Sequence, residues 1–234
     1  MKKMFFPVLG LALLAGFWAC DNEEIIADGD GDAFIVTKVV GDVPVHGLAL
    51  HAMGNLPFSS VTAVDDDGTS FSLKSYSGYE YEFYFETDDE DYLDELPVVG
   101  TYEFTMNLKR GETLVSTDEL TDDIIDPATL TKCEYNATGS RIEITWEEMD
   151  NADYFVVLMK DANNATVFIS AALTGSSTGF NISSSTASWA SGQTAEDGET
   201  YAVEVHAFMY EPTGTSLNLQ AKSIATATAV WGGN

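Results

Sequence analysis

Asp28, Asp30 and Asp32 sit at every second position of Asp28-Gly29-Asp30-Gly31-Asp32, the spacing with which a calcium-wrapping loop begins. Such a loop turns on a glycine at its sixth position and closes with a glutamate at its twelfth, and these positions hold Ala33 and Val39. The stretch therefore reads first as an acidic tether, with a structural calcium ion as the lesser reading. The histidines offer little more. His46 and His51 are five apart, which points them to opposite faces of a strand, and His206 lies inside an apolar alternating run. No two histidines stand at i, i+2 or i, i+4, so no zinc pair is expected. Ser183, Ser184 and Ser185 are not framed by the Gly-x-Ser-x-Gly turn that exposes a nucleophilic serine. Cys133 reads as a small buried apolar residue rather than a nucleophile. A hydrolase needs a nucleophile beside a base, or two carboxylates facing across a cleft. With 38 acidic residues, any single carboxylate pairing is uninformative. Neither an enzyme nor a cofactor is expected.

The other thiol, Cys20, stands in a different setting. Lys2 and Lys3 give a basic start, residues 4–19 are an uncharged apolar run of 16, and Cys20 follows directly. A basic head, an apolar centre and a small residue before the break make a secretory signal over residues 1–19. The run is shorter than the roughly 20 residues that cross a bilayer as a helix. Pro7 within it and acids behind it also argue against a stop-transfer anchor. Ala19-Cys20 resembles the lipobox of bacterial lipoproteins, in which the cysteine becomes the new N-terminus and carries acyl chains. Asp21-Asn22-Glu23-Glu24 resembles the acidic export signal behind that cysteine in surface lipoproteins of the Bacteroidota. The resemblance implies lipidation at Cys20 and anchorage in the outer membrane, facing the cell surface.

Of the 10 basic residues, Lys2 and Lys3 leave with the signal and no acid does, so 8 remain against 38 acids. A field of that sign repels nucleic acid and anionic lipid head groups. Aromatic content of 12% and long alternating stretches are nevertheless enough for packed cores. With Cys20 acylated, Cys133 has no partner for a disulfide, and stability must come from burial.

The elements that would position any site are strands. Residues 34–40 and 43–52 are extended runs, and residues 60–64 and 70–74 flank the turn Asp65-Asp66-Asp67-Gly68-Thr69. In residues 79–86, Tyr79, Tyr81, Phe83 and Phe85 alternate with Glu80, Glu82, Tyr84 and Glu86, which predicts an inward aromatic face and an outward acidic one. Tyr102, Phe104, Met106 and Leu108 repeat the pattern. Residues 87–95 hold six acids and read as a solvated loop, and residues 114–125 as an edge strand or a short helical turn. The residue before Pro127 is pushed out of helical geometry, marking a boundary at Asp126-Pro127.

Beyond it, Arg141-Ile142-Glu143-Ile144-Thr145-Trp146, then Tyr154-Phe155-Val156-Val157-Leu158, then Gly198-Glu199-Thr200-Tyr201-Ala202-Val203-Glu204-Val205-His206-Ala207 follow in order. This series resembles a fibronectin type III module over about residues 129–231. The resemblance implies that Trp146 anchors the core and that Tyr201 is the tyrosine-corner residue. Where that family usually has Leu, six residues before the tyrosine, the chain has Ala195, and Trp189 is available to fill the space.

The expected architecture is all-β: two tandem antiparallel sandwiches, immunoglobulin-like or fibronectin type III-like, at residues 33–126 and 129–234, behind a signal (1–19) and a lipidated acidic tether (20–32). Few core contacts are expected to cross between them. The expected function is a structural or protein-interaction module of the outer membrane. The alternative is a glycan-binding accessory lipoprotein of a polysaccharide uptake system, with Trp189, Tyr76 and Tyr210 as candidate sugar-stacking rings. Aromatic rings gathered on one exposed face would favour the second.

Overall fold

The computed structural model describes residues 25–76, 78–212 and 218–233. Among them the fold is strands and turns, apart from a three-residue 3-10 turn at Asp89–Asp91. No described helix is long and apolar enough to cross a membrane. The first seven strands are β1 (Gly29–Val40), β2 (Val43–Gly54), β3 (Phe58–Val64), β4 (Ser70–Tyr76), β5 (Tyr79–Glu86), β6 (Gly100–Leu108) and β7 (Thr113–Leu120). Then come β8 (Leu130–Asn136), β9 (Arg141–Trp146), β10 (Tyr154–Lys160), β11 (Thr166–Ile169), β12 (Leu173–Thr174), β13 (Gly179–Ser183), β14 (Thr200–Tyr210) and β15 (Leu219–Val230).

In the first half β4 changes layers. Its start pairs with β3, in the layer β3-β6-β7, and its end pairs with β5, in the layer β1-β2-β5. Ala33, Ile35, Leu50, Phe58, Tyr102, Phe104 and Met106 fill the space between, all at 1% exposure or less. The hairpin at Asp65 forms as its residues demand. The Asp65 carboxylate accepts the Thr69 N–H at 2.8 Å, and Gly68 takes φ +83°, where a side chain would be strained. Residues 114–125 resolve into edge strand β7 and an extended connection, with no helical turn.

The second half has the fibronectin type III arrangement: β13-β9-β8 faces β11-β10-β14-β15. Trp146 is buried between the layers with its ring 5.3 Å from Phe155. The Tyr201 hydroxyl accepts the Glu196 N–H at 3.0 Å, the bond that defines a tyrosine corner. Trp189 packs edge-on to Phe168 and Trp231 and, with Ala195, joins this core.

Two expectations need correction. The tether does not run to residue 32, because β1 starts at Gly29. Gly-Asp alternation has the period of a strand, and here it is one. Gly29 and Gly31 face inward with Ala33 and Ile35, and a Cβ on Gly31 would overlap the Phe104 ring. The inward aromatic face of β5 also ends early. Phe83 is buried, whereas Tyr79 is 50% and Tyr81 39% exposed, because the strand runs past the end of the core they alternate toward.

The halves keep separate apolar clusters but share a sheet. β1 pairs with β2 along its whole length, and Ile35 to Lys38 also pair in parallel with Ala221 to Ile224 of β15. The connection at 121–128 is fastened to β15 as well. Gln220 Nε2 donates to the Thr121 and Asp123 carbonyls at 3.1 and 3.0 Å, and Ser223 Oγ donates to the Asp126 carbonyl at 2.9 Å. Ile125 and Ala128 are buried in the second core. The expected boundary at Asp126-Pro127 is thus a packed seam.

Candidate functional site

At the seam β1 packs beside β7 and pairs with β15, and two carboxylates accept backbone donors there. Asp118 Oδ2 accepts the Ala33 N–H at 2.8 Å, and the Asp32 carboxylate accepts the Leu219 N–H at 3.2 Å. Glu211 completes a trio whose carboxylate oxygens lie within 4.8 Å of one another. Burial first, then Asp118, Glu211 and Asp30, push the Asp32 carboxyl up to about 8, against the Leu219 hydrogen bond. Burial first and then Asp118 push Glu211 up to about 7. Oxygen ligands suit calcium, but three of them fall short of the roughly six to eight that ion takes, and two of these carboxylates already accept backbone donors.

Asp28, Asp30 and Asp32 are not brought together. In an extended strand, positions two apart are about 6.6 Å apart along the chain, so the three carboxylates cannot close on one ion. Asp32 alone reaches the trio, and Asp118 and Glu211 come from distant positions.

A stability prediction follows from the raised carboxyl. Asp32 binds its proton more tightly folded than unfolded, so the stabilisation is complete below its unfolded value. It is lost as pH rises through the folded value. Between about pH 5 and about pH 9 the wild-type melting temperature should fall more steeply than that of Asp32→Asn, whose amide keeps an acceptor for Leu219 and has no proton to lose. Parallel slopes in thermal melts across this range would remove the assignment.

The histidines are structural. His46 Nδ1 lies 3.0 Å from Thr37 Oγ1, and His51 Nε2 lies 4.0 Å from Glu82. Burial lowers both below the ordinary histidine value. Burial likewise lowers His206, whose Nε2 donates to Glu204 at 2.8 Å. Against the burial that would raise it, hydrogen bonds from His206 and Lys160 hold the Glu204 carboxyl down at about 2. Burial pushes the Cys133 thiol up to about 11, away from nucleophile chemistry. Cys20, Asp21, Asn22, Glu23 and Glu24 lie outside the described residues, as does the Tyr76 side chain.

Of the sugar-stacking candidates, Trp189 is a core residue: its Nε1 donates to the Ser183 carbonyl at 3.0 Å, and its ring packs as described above. Tyr210 lies on the outer face of the long sheet, and two unpredicted rings lie with it. Tyr154 of β10 and Phe208 of β14 are cross-strand partners with ring centroids 4.4 Å apart and planes 3° from parallel. Tyr210 is 5.4 Å from Tyr154. The signal for these was in the sequence. Once Tyr201, Val203, Val205 and Ala207 face inward, strand alternation turns His206, Phe208 and Tyr210 outward. Beside the rings a cavity of about 360 Å³ is lined by Asp30, Asp32, His51, Met53, Tyr154, Tyr210 and Asn218. It opens at the seam, where the two halves meet.

No protein-family profile matches the chain, and no curated protein sequence matches it. Similar solved structures include a two-domain fibronectin type III segment of chicken tenascin, at 12% identity and TM-score 0.32, covering 78% of this chain and 91% of that one. A cytokine receptor complex, at 12% identity and TM-score 0.32, covers 87% and 98%. Tp47, the 47-kilodalton lipoprotein of Treponema pallidum, at 11% identity and TM-score 0.37, covers 84% of this chain and 50% of that one.

Proposed function

We propose that the chain is a non-catalytic binding module, anchored by acyl chains on Cys20 in the outer membrane and facing outward, whose ligand is a glycan. The observation that supports the glycan is the Tyr154–Phe208–Tyr210 group on one sheet face beside a cavity edged with carboxylates. The apolar C–H face of a sugar ring packs on an aromatic face, and polar groups around the rim take its hydroxyls. Affinity electrophoresis through gels containing soluble polysaccharides tests this. Tyr154→Ala should weaken retardation by about tenfold, as expected when a stacking ring of a small site is removed. Unchanged retardation, or none with any polysaccharide, would remove the glycan reading.

A protein partner is the second reading. Val39, Val40 and Val43 at the β1–β2 turn are each about half exposed, a small apolar tip suited to a protein surface. The anchor is tested separately. Cys20→Ala should move the protein out of the membrane fraction and abolish incorporation of labelled fatty acid, and retention without label would mean another anchor.

A further inference from the structure

Tyr79 and Tyr81 do not serve the core toward which they alternate. Their exposed rings stand 5.6 Å apart at the start of β5. Both line a cavity of about 620 Å³, together with Asp28, Asp30, Met53 and Glu82. Asp30 and the half-exposed Met53 also line the cavity beside Tyr154 and Tyr210. The two cavities therefore meet at this pair. The register explains why: Asp30 lies opposite Met53 and Met53 opposite Glu82, one row across β1, β2 and β5. Aromatic rings thus stand at both ends of one groove. Tyr81 on β5 and Tyr154 on β10 are five strands apart in the long sheet, roughly 24 Å at the usual spacing of about 4.8 Å. A single sugar ring is far shorter than that, and neither half could build the groove alone.

The polar groups along the groove have one character. Besides the tyrosines, its titratable groups are Asp28, Asp30, Asp32, Glu82 and His51, and among the described residues no lysine or arginine lines it. His51 adds no cation, because burial lowers it below the ordinary histidine value. Ionised carboxylates only accept hydrogen bonds, and sugar hydroxyls donate them. A polymer bearing carboxylates or sulfates would instead bring like charge against these groups and be repelled.

We infer that the groove binds an uncharged polysaccharide along its length, with Tyr79 and Tyr81 as a second sugar platform and Asp30, Met53 and Glu82 as the floor between the two. The inference rests on the glycan reading and adds to it the ligand's length, its lack of charge and a second set of binding residues. Holding one chain at two platforms makes the second contact intramolecular, so the affinity exceeds that of either platform alone.

The test is titration calorimetry of the purified full chain with dextran, mannan, xyloglucan, laminarin and polygalacturonate. At least one of the neutral polymers should bind, and polygalacturonate should not. Binding should change little between about 0.01 M and about 1 M salt, although the screening length falls from about 30 Å to about 3 Å. Tyr81→Ala should weaken it about tenfold, the loss of one stacking ring. Tyr81→Ala combined with Tyr154→Ala should weaken it about a hundredfold, since effects at sites this far apart add. Among fragments of the polymer that binds, hexasaccharides should bind and disaccharides should not. Thermal melts check that each variant is folded. If Tyr81→Ala is not, Tyr79→Ala, expected to lose binding, and Tyr81→Phe, expected to keep it, take its place. Disaccharides that bind as well as the polymer, or binding indifferent to the β5 tyrosines, overturn the inference while the glycan reading survives. Binding of polygalacturonate in preference to every neutral polymer does the same. Binding of no polysaccharide overturns both.

Discussion

Trp146→Ala should lower stability by about 3–5 kcal/mol, the usual cost of emptying the site of a large buried ring. Trp146 is 3% exposed, packs on Phe155 and closes β9 against the facing sheet. Its Nε1 is buried with no hydrogen-bond partner, which offsets part of that loss, because the deletion also removes an unsatisfied donor. The cost is still large beside the roughly 5–15 kcal/mol that a domain has in total. Calorimetry would show it as a drop in the transition of the second sandwich. A loss below about 1 kcal/mol would mean that the core collapses around the gap.

Gly31→Ala is the complementary experiment in the first core. The added methyl overlaps the fully buried Phe104 ring, so overpacking should cost about 1–3 kcal/mol. What makes this variant informative is its strand. β1 belongs to the first core through Ala33 and Ile35 but is hydrogen-bonded to β15 through Ile35 to Lys38. Displacing β1 should therefore lower both transitions, whereas Trp146→Ala acts mainly on one. If Gly31→Ala moves a single transition and leaves the other unchanged, the shared sheet carries no coupling, and the halves behave as the independent modules expected from the sequence.

Strand content was legible in the sequence because alternation is a local property. The apolar face of 141–146, the Asp65 turn, and the Tyr201 corner each depend on neighbours within a few residues, and each stands as its residues imply. Alternation also carried more than was read from it: the outward parity of Phe208 and Tyr210 follows from the inward parity of Tyr201 and Val203. What local pattern misjudged was where a core ends. Tyr79 and Tyr81 have the alternation of buried residues and are exposed, because burial depends on what lies opposite and nothing in residues 79–86 encodes that.

The sequence by itself determined an all-β chain with two core-forming halves, a strong negative charge, and an uncharged apolar run over residues 4–19 before Cys20. Only the tertiary structure decided how the halves meet. The parallel pairing of β1 with β15 joins residues nearly two hundred positions apart, and parallel register leaves no turn signal to read. The same contact brings Asp32 and Asp118 of the first half to Glu211 of the second, from strands that share no sequence neighbourhood. Charges scattered along a chain become a site only when backbone hydrogen bonding fixes which strands lie side by side.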